Sequence, residues 1–258
     1  MSDLEFREVS IAYGGTAVVD CLNLTIPSGK IVGLVGESGC GKSSLARAAV
    51  GLQALSTGII LLNGKDIGTR RHRSTLQMVF QDPYGSLNPR MTIGRSIAEA
   101  IPRGLADGRA ERRAEVERLL GLVDIDPARR TQLPSQLSGG QRQRVGIARA
   151  LAGRPDMIIA DEITSALDAS VQGSVLNLVR NLQATLGVGM LFISHNMAVV
   201  RFVADTVAVM RHGRIVESGP RDQVFDTPAH PYTQKLLAAS RFELDTGPRP
   251  GADASSRS

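Results

Sequence analysis

The residues best suited to chemistry begin with Gly36–Ser43, which reads Gly-Glu-Ser-Gly-Cys-Gly-Lys-Ser. This segment matches the pattern G-x-x-x-x-G-K-S/T at every position. Its glycines let successive backbone N–H groups turn toward phosphate oxygens, and a helix starting at Ser43 adds the positive end of its dipole. We expect Lys42 to reach the β- and γ-phosphates and the Ser43 hydroxyl to ligate Mg²⁺. A chance glycine-rich turn is the alternative, but the apolar run before the loop favours phosphate binding.

A second candidate lies where the apolar run Met157–Ala160 ends in two acids, Asp161 and Glu162. Asp161 can hold Mg²⁺, usually through water, where such a strand meets the phosphates. Glu162 could polarise an attacking water as a general base. Two solvated carboxylates at a strand end are common, so this interpretation depends on the phosphate loop beside it.

A third candidate is Leu137–Gln141, which reads Leu-Ser-Gly-Gly-Gln and precedes a predicted helix, Arg142–Leu151. A serine, two glycine backbones and a helix N-terminus make a possible anion site. Serine is also a preferred helix cap, so an ordinary capped helix is the alternative. One nucleotide rarely needs two such helix starts in the same chain, unless the second serves a nucleotide held by another molecule.

The predicted elements that position these residues alternate between strands and helices. Ile31–Val35 is a short apolar run of the kind buried on both faces of a parallel sheet, and it leads directly into the phosphate loop. Leu4–Tyr13 and Ala17–Ile26 are predicted to be two strands joined by a turn. Other short apolar runs are Gly58–Asn63, Leu76–Phe80, Met190–Ile193 and Thr206–Met210. The order predicts an α/β fold with a mostly parallel sheet and an antiparallel addition at the N-terminus.

Residues 84–150 interrupt this rhythm and are predicted to form a helical insertion. Within it, the apolar side of an amphipathic helix is expected to carry Ala110, Ala114, Val116, Leu119 and Leu120. The tail 245–258, rich in Pro, Gly, Ser and Asp, is predicted to be disordered. We therefore expect one catalytic domain over residues 1–244.

Charge, cysteines and apolar runs indicate which kinds of partner and site to expect. The net charge is +5, but the arginines are scattered, so a solvated surface is expected rather than a nucleic-acid site. Cys21 and Cys40 do not suggest a disulfide, because a cross-link from Cys40 would obstruct the phosphate loop. The sequence shows neither a signal-peptide pattern nor an apolar run long enough to span a membrane. If the chain works at a membrane, we therefore expect it to dock to another protein there.

The phosphate loop, the Leu-Ser-Gly-Gly-Gln signature and the Asp-Glu strand end occur in the order and spacing of ATP-binding cassette (ABC) ATPases. The chain resembles this family over about residues 4–240. The resemblance implies a P-loop NTPase core and an ATP-hydrolysing enzyme that uses Mg²⁺ with ATP. It also implies a dimer of cassettes, in which the signature of one closes over the ATP held by the other.

The resemblance assigns roles to individual positions. It implies that Glu162, His195 and Lys42 are catalytic, that Tyr13 stacks on adenine, and that Gln81 senses the γ-phosphate. The implied nucleotide-binding residues are Tyr13, Gly36, Glu37, Ser38, Gly39, Cys40, Gly41, Lys42, Ser43, Ser44 and Gln81. The implied Mg²⁺ ligands are Ser43, Gln81 and Asp161. The implied contacts with a partner's ATP are Ser138, Gly139, Gly140 and Gln141, and the implied interface loop is Ser165, Ala166, Leu167 and Asp168.

One position departs from the family pattern, in which proline usually follows the catalytic glutamate. Here Ile163 stands in its place. Proline would stiffen that turn, so we expect Ile163 to affect turnover more than nucleotide binding.

Two further segments are similar to the dipeptide/oligopeptide/nickel branch of bacterial importers: Phe80–Arg90 and His230–Thr233. The branch implies a second cassette, identical or homologous, two membrane permeases, an extracytoplasmic binding protein, and a place on the cytoplasmic face of the inner membrane. We expect Pro83–Pro89 to receive a coupling helix of the permease. Some members hold a C-terminal iron–sulfur cluster, which is not expected here because no cysteine follows Cys40. Peptides are the first expected cargo, and nickel or another small solute the second.

Other nucleotide-using proteins remain as alternatives. ABC ATPases that act on DNA insert long coiled coils or zinc modules, and those that act on ribosomes usually carry two cassettes. This chain has a short insertion, one cassette and no zinc-spaced cysteines. A nucleotide kinase would share the phosphate loop but leave Leu137–Gln141 unexplained. Transport is therefore the favoured function, with no nucleic-acid partner.

Overall fold

The computed structural model describes residues 3–67, 75–82 and 85–245, with side chains described as far as residue 239. Apart from Asp245, the tail predicted to be disordered lies outside these residues. The described part of the chain contains a four-stranded and a six-stranded sheet. The strands are β1 (Leu4–Tyr13), β2 (Thr16–Ile26), β3 (Ile31–Val35), β4 (Thr57–Leu62), β5 (Lys65–Asp66), β6 (Leu76–Val79), β7 (Met157–Asp161), β8 (Gly189–Ile193), β9 (Thr206–Arg211) and β10 (Arg214–Pro220).

The six-stranded sheet has the order β10-β9-β3-β8-β7-β6. Its strands pair in parallel except for β10, which runs antiparallel to β9 at one edge. The carboxyl ends of the parallel strands β3, β6, β7 and β8 therefore lie along one edge of the sheet. In such sheets, ligands bind at the crevice outside the carboxyl ends of the strands.

The four-stranded sheet has the order β2-β1-β4-β5 and is antiparallel throughout. The α/β fold predicted from the sequence, with a mostly parallel sheet and an antiparallel N-terminal addition, is confirmed. The edge strand β10 was not predicted, because its residues are mostly half-exposed or exposed and form no apolar run.

Helices cover the sheets and fill the connections between strands. They are α1 (Lys42–Ala49), α2 (Ile93–Ala100), α3 (Arg109–Leu122), α4 (Gly139–Ala152), α5 (Ala169–Leu186), α6 (Met197–Val203), α7 (Arg221–Asp226) and α8 (Pro231–Asp245). No helix in the described part of the chain is long and apolar enough to cross a membrane.

Helices α2, α3 and α4 follow β6 and precede β7 in the sequence, and they pack on one another. In α3 the buried residues are Val116, Leu119 and Leu120, as expected. Ala110 and Ala114 are exposed, and the expectation that they face inward was wrong. Methyl groups contribute too little apolar surface to demand burial at the start of a helix. The domain limits drawn from the sequence, 84–150 within 1–244, remain a prediction.

Strand β3 lies at the centre of the fold and is buried on both faces. Ile31 and Val35 point into the apolar core shared with α2 to α6, whereas Val32 and Leu34 point into the core shared with α1 and the N-terminal sheet. A Cβ at Gly33 would overlap the side chain of Val200 on α6, so glycine allows that helix to pack closely. This packing holds the start of the phosphate loop in place.

Candidate nucleotide-binding site

The phosphate loop follows β3 and ends in α1, as predicted. Gly36 has φ 156° and Gly41 has φ 108°, a region that side-chain-bearing residues rarely adopt. A Cβ at Gly36 would overlap the carbonyl oxygen of Met210, and one at Gly41 would overlap that of Val18. Glycine is therefore required at both positions by backbone conformation and by the closeness of neighbouring strands.

The side chain of Lys42 lies within the loop and is only 4% exposed. Its Nζ donates hydrogen bonds to the carbonyl oxygens of Gly36 at 2.8 Å and Glu37 at 2.9 Å. A buried ammonium group needs such partners because leaving it unpaired is costly. The bonds hold the positive charge at the centre of the loop, where phosphate oxygens would gather.

Helix α1 begins after Gly41 with no side-chain cap. The first N–H groups of a helix have no partner within the helix, and a side chain usually satisfies some of them. Here no side chain caps them, which leaves them available to a ligand. The loop thus combines uncapped N–H groups, a helix dipole and a buried lysine, all of which favour an anion.

Ser43 and Asp161 come together at the base of the loop. The Ser43 hydroxyl donates a hydrogen bond of 3.1 Å to Asp161 Oδ1, and Asp161 is only 4% exposed at the end of β7. Burial raises the pKa of the Asp161 carboxyl, and the hydrogen bond from Ser43 opposes that rise. Two neighbouring oxygen donors, one of them a buried carboxylate, fit the oxygen ligands that Mg²⁺ prefers.

Glu162 follows Asp161 and brings together residues from three strand ends. Gln81 Nε2 donates to Glu162 Oε2 at 3.3 Å, and His195 Nδ1 lies 3.2 Å from the same oxygen. Glu162 has φ 47°, a left-handed conformation that costs energy in a residue with a side chain. Strain of this kind is often found at functional sites, and here the Glu162 N–H is held by the Ile193 carbonyl at 3.0 Å.

Hydrogen bonds hold the turn after Glu162 despite the absence of the usual proline. The backbone N–H and the hydroxyl of Ser165 both donate to the Glu162 carbonyl, at 3.1 Å and 2.9 Å. Ile163 is 2% exposed and lies in the apolar core. Hydrogen bonds and the packing of Ile163 therefore both hold this turn. The expected effect of Ile163 on turnover remains a prediction.

Tyr13 is 45% exposed near the start of α1. Its hydroxyl donates to Ser44 Oγ at 3.5 Å. The ring therefore lies beside the phosphate loop with much of its surface open. The predicted role of Tyr13 in stacking on adenine stays a prediction.

The signature Leu137–Gln141 has a different environment. Ser138 caps α4, because its Oγ accepts from the Gln141 N–H at 3.3 Å, and the Gln141 side chain accepts from the Ser138 N–H at 3.0 Å. This reciprocal pair is a capping box. A Cβ at Gly140 would overlap Val171 of α5, and one at Gly139 would lie 3.5 Å from Leu167. The signature is thus joined by packing to the predicted interface loop.

That loop, Ser165–Asp168, lies between α5 and the group formed by Glu162, Gln81 and His195, which we call the Glu162 cluster. At one end Gln81 Nε2 donates to Ser165 Oγ at 3.3 Å. At the other, Asp168 caps α5 by accepting from the Val171 N–H at 2.9 Å and the Ser170 hydroxyl at 2.7 Å. The bond from Ser170 is the main reason that the pKa of Asp168 lies below its ordinary value.

One contact with the phosphate loop was not predicted. The Glu37 N–H donates to the hydroxyl of Tyr232 at 3.2 Å, and Tyr232 is 195 residues away in sequence. The sequence singled out His230–Thr233 only as a mark of the importer branch. A buried tyrosine needs a partner for its hydroxyl, but which partner it finds depends on the fold.

Two family models match the chain: an ABC transporter model over residues 19–165 and an oligopeptide/dipeptide transporter C-terminal region over residues 216–252. The first covers 147 of the 258 residues, from 19 to 165 inclusive. The chain belongs to the ABC transporter family. The family predicted from the phosphate loop, signature and strand end is confirmed, and so is the importer branch marked by the C-terminal segment.

Two similar proteins are named as ATP-binding proteins of peptide transport. A probable peptide ABC transporter ATP-binding protein of Sinorhizobium fredii is 48% identical over 228 residues, which is 86% of this chain and 65% of that protein. The oligopeptide transport ATP-binding protein OppF of Bacillus subtilis is 45% identical over 234 residues, which is 88% of this chain and 77% of that protein. The chain thus spans about two thirds to three quarters of the length of these relatives.

Solved ABC cassettes share the fold. A dimeric ATP-binding cassette in a post-hydrolysis state, bound to ADP and Pi, matches with a TM-score of 0.75 at 27% identity over 84% of this chain and 98% of that one. The cbiO1 subunit of the cbiONQ ABC transporter complex from Clostridium perfringens matches with a TM-score of 0.79 at 26% identity over 94% of this chain and 98% of that one. The ABC ATPase fold implies that this chain binds ATP.

Proposed function

We propose that this chain hydrolyses MgATP and thereby powers a membrane importer of small peptides. The observation that carries the proposal is the grouping of Lys42, the Ser43–Asp161 pair and the Glu162 cluster along the carboxyl edge of the parallel sheet. Lys42 suits phosphates, and the Ser43–Asp161 pair suits a divalent cation. Glu162 offers a carboxylate one residue beyond Asp161, where it can reach a water that attacks the terminal phosphate.

The proposed reaction uses the chain's own residues in defined roles. Lys42 and the loop N–H groups hold the phosphate oxygens, and Tyr13 packs on the adenine ring. Water attacks the γ-phosphorus, the bond to the β–γ bridging oxygen breaks, and the proton of the water passes to the Glu162 carboxylate. Gln81 and His195 orient that carboxylate. Bound Mg²⁺, held by Ser43, Gln81 and Asp161, would neutralise charge developing on the phosphates.

A second cassette completes the proposed site. The signature residues Ser138–Gln141 present a helix N-terminus that is exposed at Ser138. The solved cassette with ADP and Pi is a dimer, which supports a paired arrangement. We infer that the signature of one cassette, followed by the loop Ser165–Asp168, contacts the ATP held by the other, and that the partner is identical or homologous.

Peptides are the proposed cargo because the relatives are named for peptide and oligopeptide transport. In the proposed complex, two permeases and an extracytoplasmic binding protein supply selectivity, and this chain works at the cytoplasmic face of the membrane. Pro83–Pro89 is the proposed contact for the permease; positions 83 and 84 lie outside the described residues. A strain lacking this chain should lose uptake of a radiolabelled tripeptide and keep uptake of radioactive nickel. The reverse result would assign a metal importer.

The catalytic part of the proposal is tested by Glu162→Gln. A general base contributes about 10²- to 10⁴-fold, so turnover should fall by about a hundredfold or more. The dissociation constant for ATP, measured with a fluorescent analogue, should stay within about threefold, because the loop is unchanged. Glu99→Gln on α2, which makes the same change at an exposed carboxylate away from the loop, is the control and should hydrolyse ATP normally. Unchanged hydrolysis by the Glu162 variant would remove that residue from its role.

A further inference from the structure

The C-terminal segment reaches the phosphate loop through the side chain of Tyr232. Tyr232, in the first turn of α8, accepts the hydrogen bond from the Glu37 N–H. Glu37 is the residue directly after the first glycine of the loop. None of the roles given above to the phosphate loop uses this contact.

The Gly36–Glu37 peptide group is held from both of its sides. Its carbonyl oxygen, that of Gly36, accepts from Lys42 Nζ at 2.8 Å, and its N–H, that of Glu37, donates to the Tyr232 hydroxyl at 3.2 Å. Rotation of this peptide plane would therefore move a carbonyl that positions the Lys42 ammonium. Tyr232 restrains that rotation from outside the loop, because its hydroxyl fixes the N–H of the same peptide.

Tyr232 is itself firmly placed. It is 5% exposed, and the guanidinium carbon of Arg211 lies 4.8 Å from its ring centroid, a cation–π distance. Burial raises the pKa of the Tyr232 phenol, so its hydroxyl stays protonated at neutral pH and its oxygen accepts as a neutral group.

The segment before Tyr232 is anchored to the sheet. Glu217 on β10 accepts from the backbone N–H groups of Ala229 at 2.8 Å and His230 at 3.1 Å. His230 Nδ1 in turn accepts from the Tyr232 N–H at 3.1 Å. The edge strand thus sets where α8 begins, and so sets the position of the Tyr232 hydroxyl against the loop.

We propose that Tyr232 is a positioning residue for nucleotide binding, which holds the Gly36–Glu37 peptide so that Lys42 and the loop N–H groups meet the phosphates. The proposal rests on the function proposed above for the same loop. It gives the C-terminal segment a direct effect on ATP affinity, which an extension serving only to stabilise the fold would not have.

The test is Tyr232→Phe, which removes the hydroxyl and keeps the ring over Arg211. Losing one such hydrogen bond should raise the dissociation constant for ATP about 3- to 10-fold. Turnover at saturating ATP should change less than about twofold, because no catalytic group is touched. In the nucleotide-free protein, residue-resolved hydrogen exchange at the Glu37 amide should become about tenfold faster, since the bond that protects it is gone.

Two further variants keep the test decisive. Gln234→Leu, in the same helix as Tyr232, removes the bond from Gln234 to the Pro228 carbonyl but does not touch the loop, so its ATP affinity should match the wild type. Glu217→Gln weakens the anchor while leaving Tyr232 intact, and should shift affinity in the same direction by less. Unchanged affinity and unchanged Glu37 exchange in Tyr232→Phe would overturn the inference. So would a rise in exchange spread evenly over the protein. Failure of the wild type to bind ATP would instead contradict the proposed function.

Discussion

The chain contains two glycine-rich segments that each start a helix, and they use the same elements in opposite ways. Gly36–Ser43 leaves α1 without a side-chain cap, whereas Ser138–Gln141 closes a reciprocal capping box on α4. In the first, three glycines, Gly36, Gly39 and Gly41, adopt conformations that other residues avoid. In the second, the glycines have ordinary conformations, and Gly140 lets Val171 approach closely.

This difference shows where each segment can find a ligand. The phosphate loop keeps a helix start without a side-chain cap and a buried lysine at the base of a pre-formed cradle, so it can bind phosphates within one chain. The signature has already paired much of its hydrogen-bonding capacity internally, and it offers a capped helix start at an exposed position. It is suited to add contacts to a nucleotide that another molecule holds. Changes to the first should affect binding by the isolated chain, and changes to the second should not.

Lys42→Ala is expected to have the largest effect on binding. It removes the buried ammonium group and its charge-assisted contact with phosphate, which should raise the dissociation constant for ATP roughly 10- to 100-fold. Isothermal titration of the isolated chain with ATP and Mg²⁺ measures this. Lys30→Ala, which removes an exposed lysine just before β3, is the matched control and should bind normally. Equal loss in both variants would mean that net charge, rather than the loop, governs affinity.

Ser138→Arg should separate the two segments most clearly. The isolated variant should bind ATP within about twofold of the wild type, because the phosphate loop is intact. Turnover by the assembled cassettes should fall by about tenfold or more, since arginine adds bulk where the partner's nucleotide would approach and removes a cap worth about 1 kcal/mol. Assays of binding and hydrolysis on the same preparation give both quantities.

The control for this change is Ser135→Arg, at an exposed serine three residues earlier. It introduces the same side chain outside the capping box and should leave both quantities near normal. If Ser138→Arg instead weakened ATP binding by the isolated chain as strongly as Lys42→Ala, the signature would belong to the same chain's site. The contrast between the two segments would then fail.

Much of this arrangement could be predicted from local sequence. The phosphate loop and β3 are marked by a short apolar run followed by glycines and lysine, and the structure places them as expected. Ser138 and Gln141 have the spacing of a capping box, which is a local pattern. These features depend on residues that are close in sequence, so a pattern is enough to predict them.

Features that depend on distant residues could not be predicted in the same way. The contact between Glu37 and Tyr232 joins residues 195 apart, and the Gln81–Glu162 pair joins residues 81 apart. The second was anticipated only as neighbouring roles implied by a family resemblance. The left-handed conformation of Glu162 also had no signal, because it arises where the end of β7 meets the Ile193 carbonyl.

Asp168→Asn should have the smallest effect and tests how firmly the signature is supported. Asp168 caps α5, whose Val171 packs against Gly140 of the signature. Because the folded-state pKa of Asp168 is lowered, chiefly by the bond from Ser170, its carboxylate stabilises the fold above its unfolded-state pKa. That contribution is lost as the pH falls through the lower folded-state pKa. Asparagine can still cap, but without charge, so Tm should fall by a few degrees at pH 7 and the difference should vanish in acid.

Thermal unfolding at pH 7 and in stepwise more acidic buffers measures this difference. Ser170→Ala removes the main bond to the carboxylate and keeps the charge, so it should lower Tm in the same direction by less. ATP binding by the isolated chain should be unaffected in both variants, because neither residue touches the phosphate loop. A Tm difference that persisted unchanged into acid would show that the cap acts through packing rather than through the ionised carboxylate. The support for the signature would then not depend on the charge of Asp168.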